Sequence, residues 1–302
     1  MEPSSPERPS KIGFLGFGEA ARAFADSLVA RQSGMHFAAW DVVLTDPDRS
    51  QGMREAMDGR GIAILPGPHG YDGCDWIFSA VTASQCLAAT ESAAQDIKPG
   101  QTIIDINSVA PAVKRQASEV ITGRGAAYLD MAVMAPVHPN GHGTPVCIAG
   151  PTVEKLWPLL EAIGFNGQIV GTGPGAAAAI KMVRSLFVKG LEAITVETLL
   201  AAEASGCFDI ILASLSSSYP GLGWPKIASY HFDRLTQHGT RRSEEMMMSA
   251  ETLDALGLNG DLAREIATVH ARTHTARASK PHRILNDLVS EALDHRLKRT
   301  AV

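Results

Sequence analysis

Ile12-Gly13-Phe14-Leu15 is a short apolar run that passes directly into Gly16-Phe17-Gly18-Glu19-Ala20-Ala21 and then into an Ala- and Leu-rich stretch, residues 19–31. A strand, a glycine-rich turn and a helix in that order leave few choices. Gly16 permits a tight turn, Gly18 has no Cβ to hold a ligand away from the backbone, and Ala21 is small enough for the helix to lie close on the strand. The helix end adds unused N–H groups and the positive end of its dipole, which together suit a pyrophosphate. The glycines alone would fit any tight strand-to-helix junction; their setting is what points to a dinucleotide. Gly16, Phe17, Gly18, Glu19 and Ala20 are therefore the candidate nucleotide contacts.

Further short apolar runs follow at 41–45, 62–65, 75–81, 102–105 and 127–130, rich in β-branched or aromatic residues and closed by Gly, Pro, Asp or Ser. Helical stretches such as 84–96 lie between them. This alternation predicts an α/β fold with an N-terminal Rossmann-type doubly wound parallel sheet. Residues 145–149 and 167–171 read as a hairpin-like pair. With the second strand at 41–45, Asp46 is the acid that follows it. A carboxylate there accepts hydrogen bonds from both adenosine ribose hydroxyls and repels a 2′-phosphate, which favours NAD. Arg49 close by keeps NADP open, and residues 45–48 also read as a plain polar turn.

After Gly171-Thr172-Gly173-Pro174-Gly175 the texture changes. Residues 176–204 form one long helical pattern, with further helices expected at 225–238, 241–256, 260–275 and 282–297, and no strand pattern among them. The chain thus divides into a polar, Pro-rich arm (1–10), a dinucleotide-binding domain (11–172) and an all-α domain for substrate and dimerisation (173–302). Lys181 stands early on the long helix, just past the glycine-rich hinge. Facing an interdomain cleft it would serve as a general acid or base once desolvation lowers its pKa; facing solvent it would be an ordinary surface lysine. Arg184, Arg241 and Arg242 are candidates for gripping a carboxylate or phosphate, although Arg241-Arg242 reads equally as a helix face paired with Glu244 and Glu245. His270 and His274 are spaced for a metal but lack a third ligand, and read as a solvated face. The apolar character of the long helix predicts a homodimer.

At 302 residues the chain has room for about two domains. A net charge of -5 argues against a nucleic-acid partner. The four cysteines form no CxxC pair, the N-terminus does not read as a signal peptide, and no apolar stretch reaches the ~20 residues that span a bilayer. A cytoplasmic protein without membrane contact is expected.

Four motifs occur in order over residues 12 to about 203: Gly16 to Ala21, Asp105-Ile106-Asn107-Ser108, Asp130-Met131-Ala132-Val133, and Gly173-Pro174-Gly175 followed by Lys181. In this order they resemble the β-hydroxyacid dehydrogenase family, which includes 3-hydroxyisobutyrate and 6-phosphogluconate dehydrogenases. The run 238–246 is similar to a phosphogluconate dehydrogenase-like branch carrying a domain of unknown function. The resemblance implies an NAD(P)-dependent oxidoreductase acting on a small, anionic hydroxyacid. It makes Lys181 the proton-transfer residue and places Val81 and Asn107 beside the cofactor's ribose and nicotinamide. Departures from the family pattern are informative. Ser185 stands where relatives carry an asparagine, preceded by Arg184. Met134-Ala135-Pro136 replaces a Ser-Gly-Gly substrate loop, and Val188 replaces the acid of the phosphogluconate enzyme. A 6-phosphogluconate decarboxylase is thereby disfavoured. The alternatives are an imine-reducing variant, which retention of Lys181 counts against, and a non-enzymatic NAD(P)-binding or sensing protein.

Overall fold

A computed structural model describes residues 8–31, 34–274 and 284–300; of the arm expected at 1–10, residues 1–7 lie outside these. The first part of the chain runs β1 (Lys11–Leu15), α1 (Glu19–Arg31), β2 (His36–Trp40), α2 (Ser50–Asp58), β3 (Ala63–Ile64), β4 (Trp76–Ser79), α3 (Cys86–Ala93), β5 (Thr102–Asp105), α4 (Pro111–Thr122), β6 (Ala127–Val133), β7 (Val146–Ala149), α5 (Val153–Ala162) and β8 (Gly167–Gly171). The strands form one sheet in the order β3-β2-β1-β4-β5-β6-β7-β8, so the winding reverses between β1 and β4. Ligands of doubly wound sheets sit outside the carboxyl ends of the strands at such a reversal. Every strand pair is parallel except β6 with β7.

Alternation along the buried strands feeds two apolar layers. Phe14, Phe24, Phe78 and Phe165 interlock on one face of the sheet, while Leu15, Ile77, Ile103 and Tyr128 belong to the other.

Two strand expectations need correction. The second strand is His36–Trp40, and the expected strand at 41–45 is a 3-10 turn, Val42–Thr45, capped by the Asp41 side chain accepting from Val43 N at 2.9 Å. The local carboxylate cap defeats the β-propensity of Val42 and Val43, whereas the Ala38-Ala39 pair makes the true strand weak on propensity alone. Strands β7 and β8 are not a hairpin: they pair in parallel, with α5 as the crossover.

The remaining helices are α6 (Ala176–Ala204), α7 (Phe208–Ser218), α8 (Lys226–Ala255), α9 (Asp261–Thr273) and α10 (Leu285–Thr300). No strand occurs here among the described residues. One helix, α8, replaces the two expected at 225–238 and 241–256. Gly239 does not break it, because a Cβ there would stand 2.3 Å from the His270 carbonyl oxygen; the glycine admits α9 to close contact. Leu199, Phe208, Phe232, Leu235 and Val289 fill one core of the bundle, and Ala193, Met246 and Ile266 another.

The chain divides into two compact units between Lys181 and Met182, beyond the expected boundary at 172/173. The first turns of α6 go with the sheet because the Asp130 carboxylate of β6 accepts from both Gly175 N and Ala178 N, at 3.0 Å each. Among the described residues no helix is long and apolar enough to cross a membrane.

Candidate functional site

Gly16 takes φ +84°, and a Cβ there would lie 2.5 Å from the Ala80 carbonyl oxygen, so the turn after β1 requires glycine on two counts. Its N–H donates to Trp40 O at 2.8 Å. A Cβ on Gly18, by contrast, would meet nothing within 4 Å. That open face lies at the start of α1, whose first-turn N–H groups have no acceptor inside the helix. Phe17 contributes through its backbone: its ring is buried against Phe14 and beneath Arg22. The open glycine, the helix end and Glu19 and Ala20 in its first turn fit a dinucleotide pyrophosphate.

The acid beside this loop is Asp41, directly after β2. Its Oδ2 accepts from Phe17 N at 2.7 Å and its Oδ1 from Val43 N. Asp46 lies beyond the 3-10 turn, where its Oδ1 accepts from Asp48 N and its Oδ2 stands 3.9 Å from Arg49. The strand-end position expected for Asp46 therefore belongs to Asp41, and the displacement follows directly from the misplaced second strand.

Val81 and Asn107 come together at the ends of β4 and β5. Val81 N donates to Asn107 Oδ1 at 2.7 Å, and Asn107 Nδ2 donates to Ser79 Oγ and Asp105 Oδ1. The next residue, Ser108, accepts from Lys181 Nζ at 2.6 Å. Lys181 is half-buried. Met134, just past β6, packs against the cluster of Ala132, Cys147, Ala149 and Ala177.

Beneath this lies a buried charge network. Lys114 of α4 is 0% exposed, and its Nζ donates to the Asp105 carbonyl at 2.7 Å, pairs with Asp105 Oδ1 at 2.8 Å and lies 3.4 Å from Asp130 Oδ1. Burial works against the ammonium, but the two carboxylates outweigh it and hold the lysine above its ordinary pKa. Tyr128 Oη donates to Asp105 Oδ2 at 2.7 Å, and burial beside that carboxylate pushes the phenol well up. Burial likewise raises the Cys86 thiol, whose Sγ sits 3.4 Å from Asp105 Oδ2.

The remaining candidates belong to the helical unit. Arg184 is exposed. Ser185 is buried and its Oγ accepts from Lys189 Nζ at 3.2 Å; Lys189 also pairs with Glu245 at 2.6 Å, and its burial lowers its pKa. Arg242 is buried and pairs with Glu192, while Arg241 reaches Glu245 along the helix face at 3.1 Å. His270, expected on a solvated face, is wholly buried with Nε2 3.1 Å from Lys189 O. Among the described residues no group of three or more His, Cys, Asp or Glu is placed to hold a metal.

Residues 11–171 match the model of the NAD binding domain of 6-phosphogluconate dehydrogenase, and residues 202–273 match a domain of unknown function, DUF1932. The first match spans more than half of the chain. The chain belongs to the β-hydroxyacid dehydrogenase family. It is similar over 95% of its length to a conserved hypothetical protein from Sinorhizobium meliloti 1021, at 33% identity, 96% coverage of that chain and a TM-score of 0.74. A curated relative, the NAD-dependent L-serine dehydrogenase of Pseudomonas aeruginosa, is 25% identical over 71% of each chain. The mitochondrial 3-hydroxyisobutyrate dehydrogenase of Mus musculus is 24% identical over 70% of this chain and 63% of that one. This family member is an NAD(P)-dependent oxidoreductase of the β-hydroxyacid dehydrogenase type. Three residues bonded within the candidate site drew no role from the sequence. Asp41 was hidden by the misread strand, Ser108 had a place in a motif but no role, and Lys114 has no local pattern that marks it as buried.

Proposed function

We propose that this β-hydroxyacid dehydrogenase-type protein transfers a hydride between NAD and a small anionic hydroxyacid, with Lys181 holding and moving the proton of the substrate hydroxyl. The observation that carries this reading is the 2.6 Å hydrogen bond from Lys181 Nζ to Ser108 Oγ. Ser108 follows Asn107 in sequence, and Asn107 holds Val81 N, so the amine is tethered to the strand ends of the nucleotide-binding sheet. Gly16, Phe17, Gly18, Glu19 and Ala20 receive the pyrophosphate, and Asp41 takes the ribose hydroxyls. Val42 follows Asp41 with no basic side chain to welcome a 2′-phosphate, which supports NAD over NADP. A bound nicotinamide nucleotide supplies the hydride chemistry; the chain supplies orientation and the proton path.

Arg184, exposed on α6, is the candidate grip for the substrate carboxylate, and Met134 and Ser185 are further candidates for substrate contact. The deciding assay pairs Lys181→Ala with the parent protein on a panel of hydroxyacids and imines with either nucleotide. NAD-dependent oxidation of a hydroxyacid by the parent, cut about 10²-fold or more in the variant, supports the proposal. Turnover of imines alone, or equal rates in the two proteins, refutes it. The exposed apolar side chains Val183, Phe187 and Ile194 on α6 support a second copy as the protein's partner; light scattering at micromolar concentration tests this.

A further inference from the structure

We propose that Lys114 is a positioning residue for the Lys181 amine, acting through Asp130 and the first turn of α6. The inference rests on the reading of Lys181 as the proton-transfer group. A lysine with no exposed surface is costly to bury and needs partners of high quality. Lys114 has three oxygens, and each leads toward Lys181 by one of two routes. Along the first, Lys114 Nζ faces Asp130 Oδ1 at 3.4 Å as an ion pair without a hydrogen bond, and the other Asp130 oxygen accepts from Gly175 N and Ala178 N. These two N–H groups begin the helix that carries Lys181 three residues later. Along the second, Lys114 holds the carbonyl and carboxylate of Asp105. The same carboxylate accepts from Asn107 N and Nδ2, and Asn107 directly precedes Ser108, to which Lys181 donates.

The two routes converge on one contact, and Lys114 is the cation at their junction. Gly175 adds a steric lock: at φ +93°, its missing Cβ would fall 2.7 Å from Pro111 O at the start of α4, so the two helix starts are pressed together. The network also sets local charge. Asp105 and Asp130 face the Lys114 ammonium, with the Arg115 guanidinium of α4 beside Gly175, so removing any one of these charges changes the field beneath the helix end. Among the described residues, Tyr128 of β6 and Cys86 of α3 also face Asp105. A structural plug would need only to fill space, whereas a positioning network ties both the place and the protonation of Lys181 to the charge of Lys114 and Asp130.

Removing each charge should therefore move the Lys181 titration in opposite directions. Lys114→Met removes a positive charge from beside two carboxylates and should raise the pH midpoint of kcat for hydroxyacid oxidation. Asp130→Asn keeps an oxygen for Gly175 and Ala178 but removes a negative charge, and should lower that midpoint. Shifts of about half a pH unit or more are expected, with kcat per nucleotide-competent site down at least about tenfold in each. Competent sites are counted by NADH fluorescence titration, so an unfolded fraction does not enter; where Lys114→Met does not fold, Asp130→Asn decides alone. Profiles that superimpose on the parent's, with kcat per competent site within about twofold, overturn the proposal. Lys181→Ala is run alongside: a parental rate in that variant overturns the reading of Lys181 itself, whatever the Lys114 and Asp130 variants do.

Discussion

Phe17 donates its backbone N–H to the Asp41 carboxylate across 2.7 Å, so the acid that ends β2 is built into the glycine loop that follows β1. The two elements meet because β1 and β2 are parallel neighbours, with Leu15 opposite Trp40 at their carboxyl ends. Asp41 thus has a fixed position beside the nucleotide cradle, and each carboxylate oxygen retains a further lone pair for a ribose hydroxyl. Asp46, across the 3-10 turn, has no such bond to the loop.

The first expectation separates these two acids. Asp41→Asn removes the charge and should weaken NADH binding by roughly tenfold or more, since hydrogen bonds to charged groups contribute about 1.5–3 kcal/mol. It should also narrow the preference against NADPH. Asp46→Asn should leave both affinities within about twofold of the parent. Fluorescence titration with each nucleotide measures this, and an Asp46 effect equal to that of Asp41 would return the ribose contact to Asp46.

The two glycines of the loop should fail in different ways. Gly16→Ala forces an L-residue into φ +84° with its Cβ against Ala80 O, so thermal stability should fall, by about 1–2 kcal/mol for the backbone alone. Gly18→Ala meets no protein atom and should leave the melting temperature nearly unchanged while weakening NADH binding, because the new methyl occupies the face that the pyrophosphate approaches. Equal losses of stability in the two variants would show that Gly18 serves the turn and not the ligand.

Much of this was legible in the residues. β1, the glycine loop and α1 announce themselves because local geometry and function demand the same residues there, and α6 was readable end to end from its unbroken periodicity. The second strand was not. Val42 and Val43 look extended, and only a tertiary fact, the Asp41 carboxylate turning back to cap them, makes a 3-10 turn. Gly239 looked like a helix break for a similar reason, since the α9 backbone that needs it is distant in sequence. Lys114 was invisible because nothing local marks a lysine as buried; its partners Asp105 and Asp130 lie on two other elements.

Ser108 permits a sharper test of the proton path than the lysine alone. Ser108→Ala removes the hydroxyl that accepts from Lys181 Nζ without adding bulk. Turnover should drop about tenfold, less than the 10²–10⁴-fold typical of losing a general acid or base, and NADH affinity should stay within about twofold. A variant that binds nucleotide poorly but turns over normally when saturated would make Ser108 a nucleotide contact.

Acid should destabilise the helical unit through its buried histidines. Burial pushes His270 and His231 down to about 4 from the ordinary 6.5, with the Arg242 charge adding to this at both. His270 is therefore neutral near pH 7, and the Glu192 carboxylate 3.9 Å away is not its ion-pair partner there. Between pH 6.5 and 4 the unfolded chain takes up protons that the folded unit refuses. The stability is accordingly complete above 6.5 and is lost progressively as pH falls toward 4. At about 1.4 kcal/mol per pKa unit the loss is at most about 3.5 kcal/mol for each histidine. Glu192, raised by its own burial, gains stability on protonation and opposes part of the decline. His270→Gln keeps a donor for Lys189 O but cannot titrate. Its urea midpoint should fall less than the parent's between pH 7 and pH 4.5, and parallel declines in the two proteins would remove His270 as a source of the acid sensitivity.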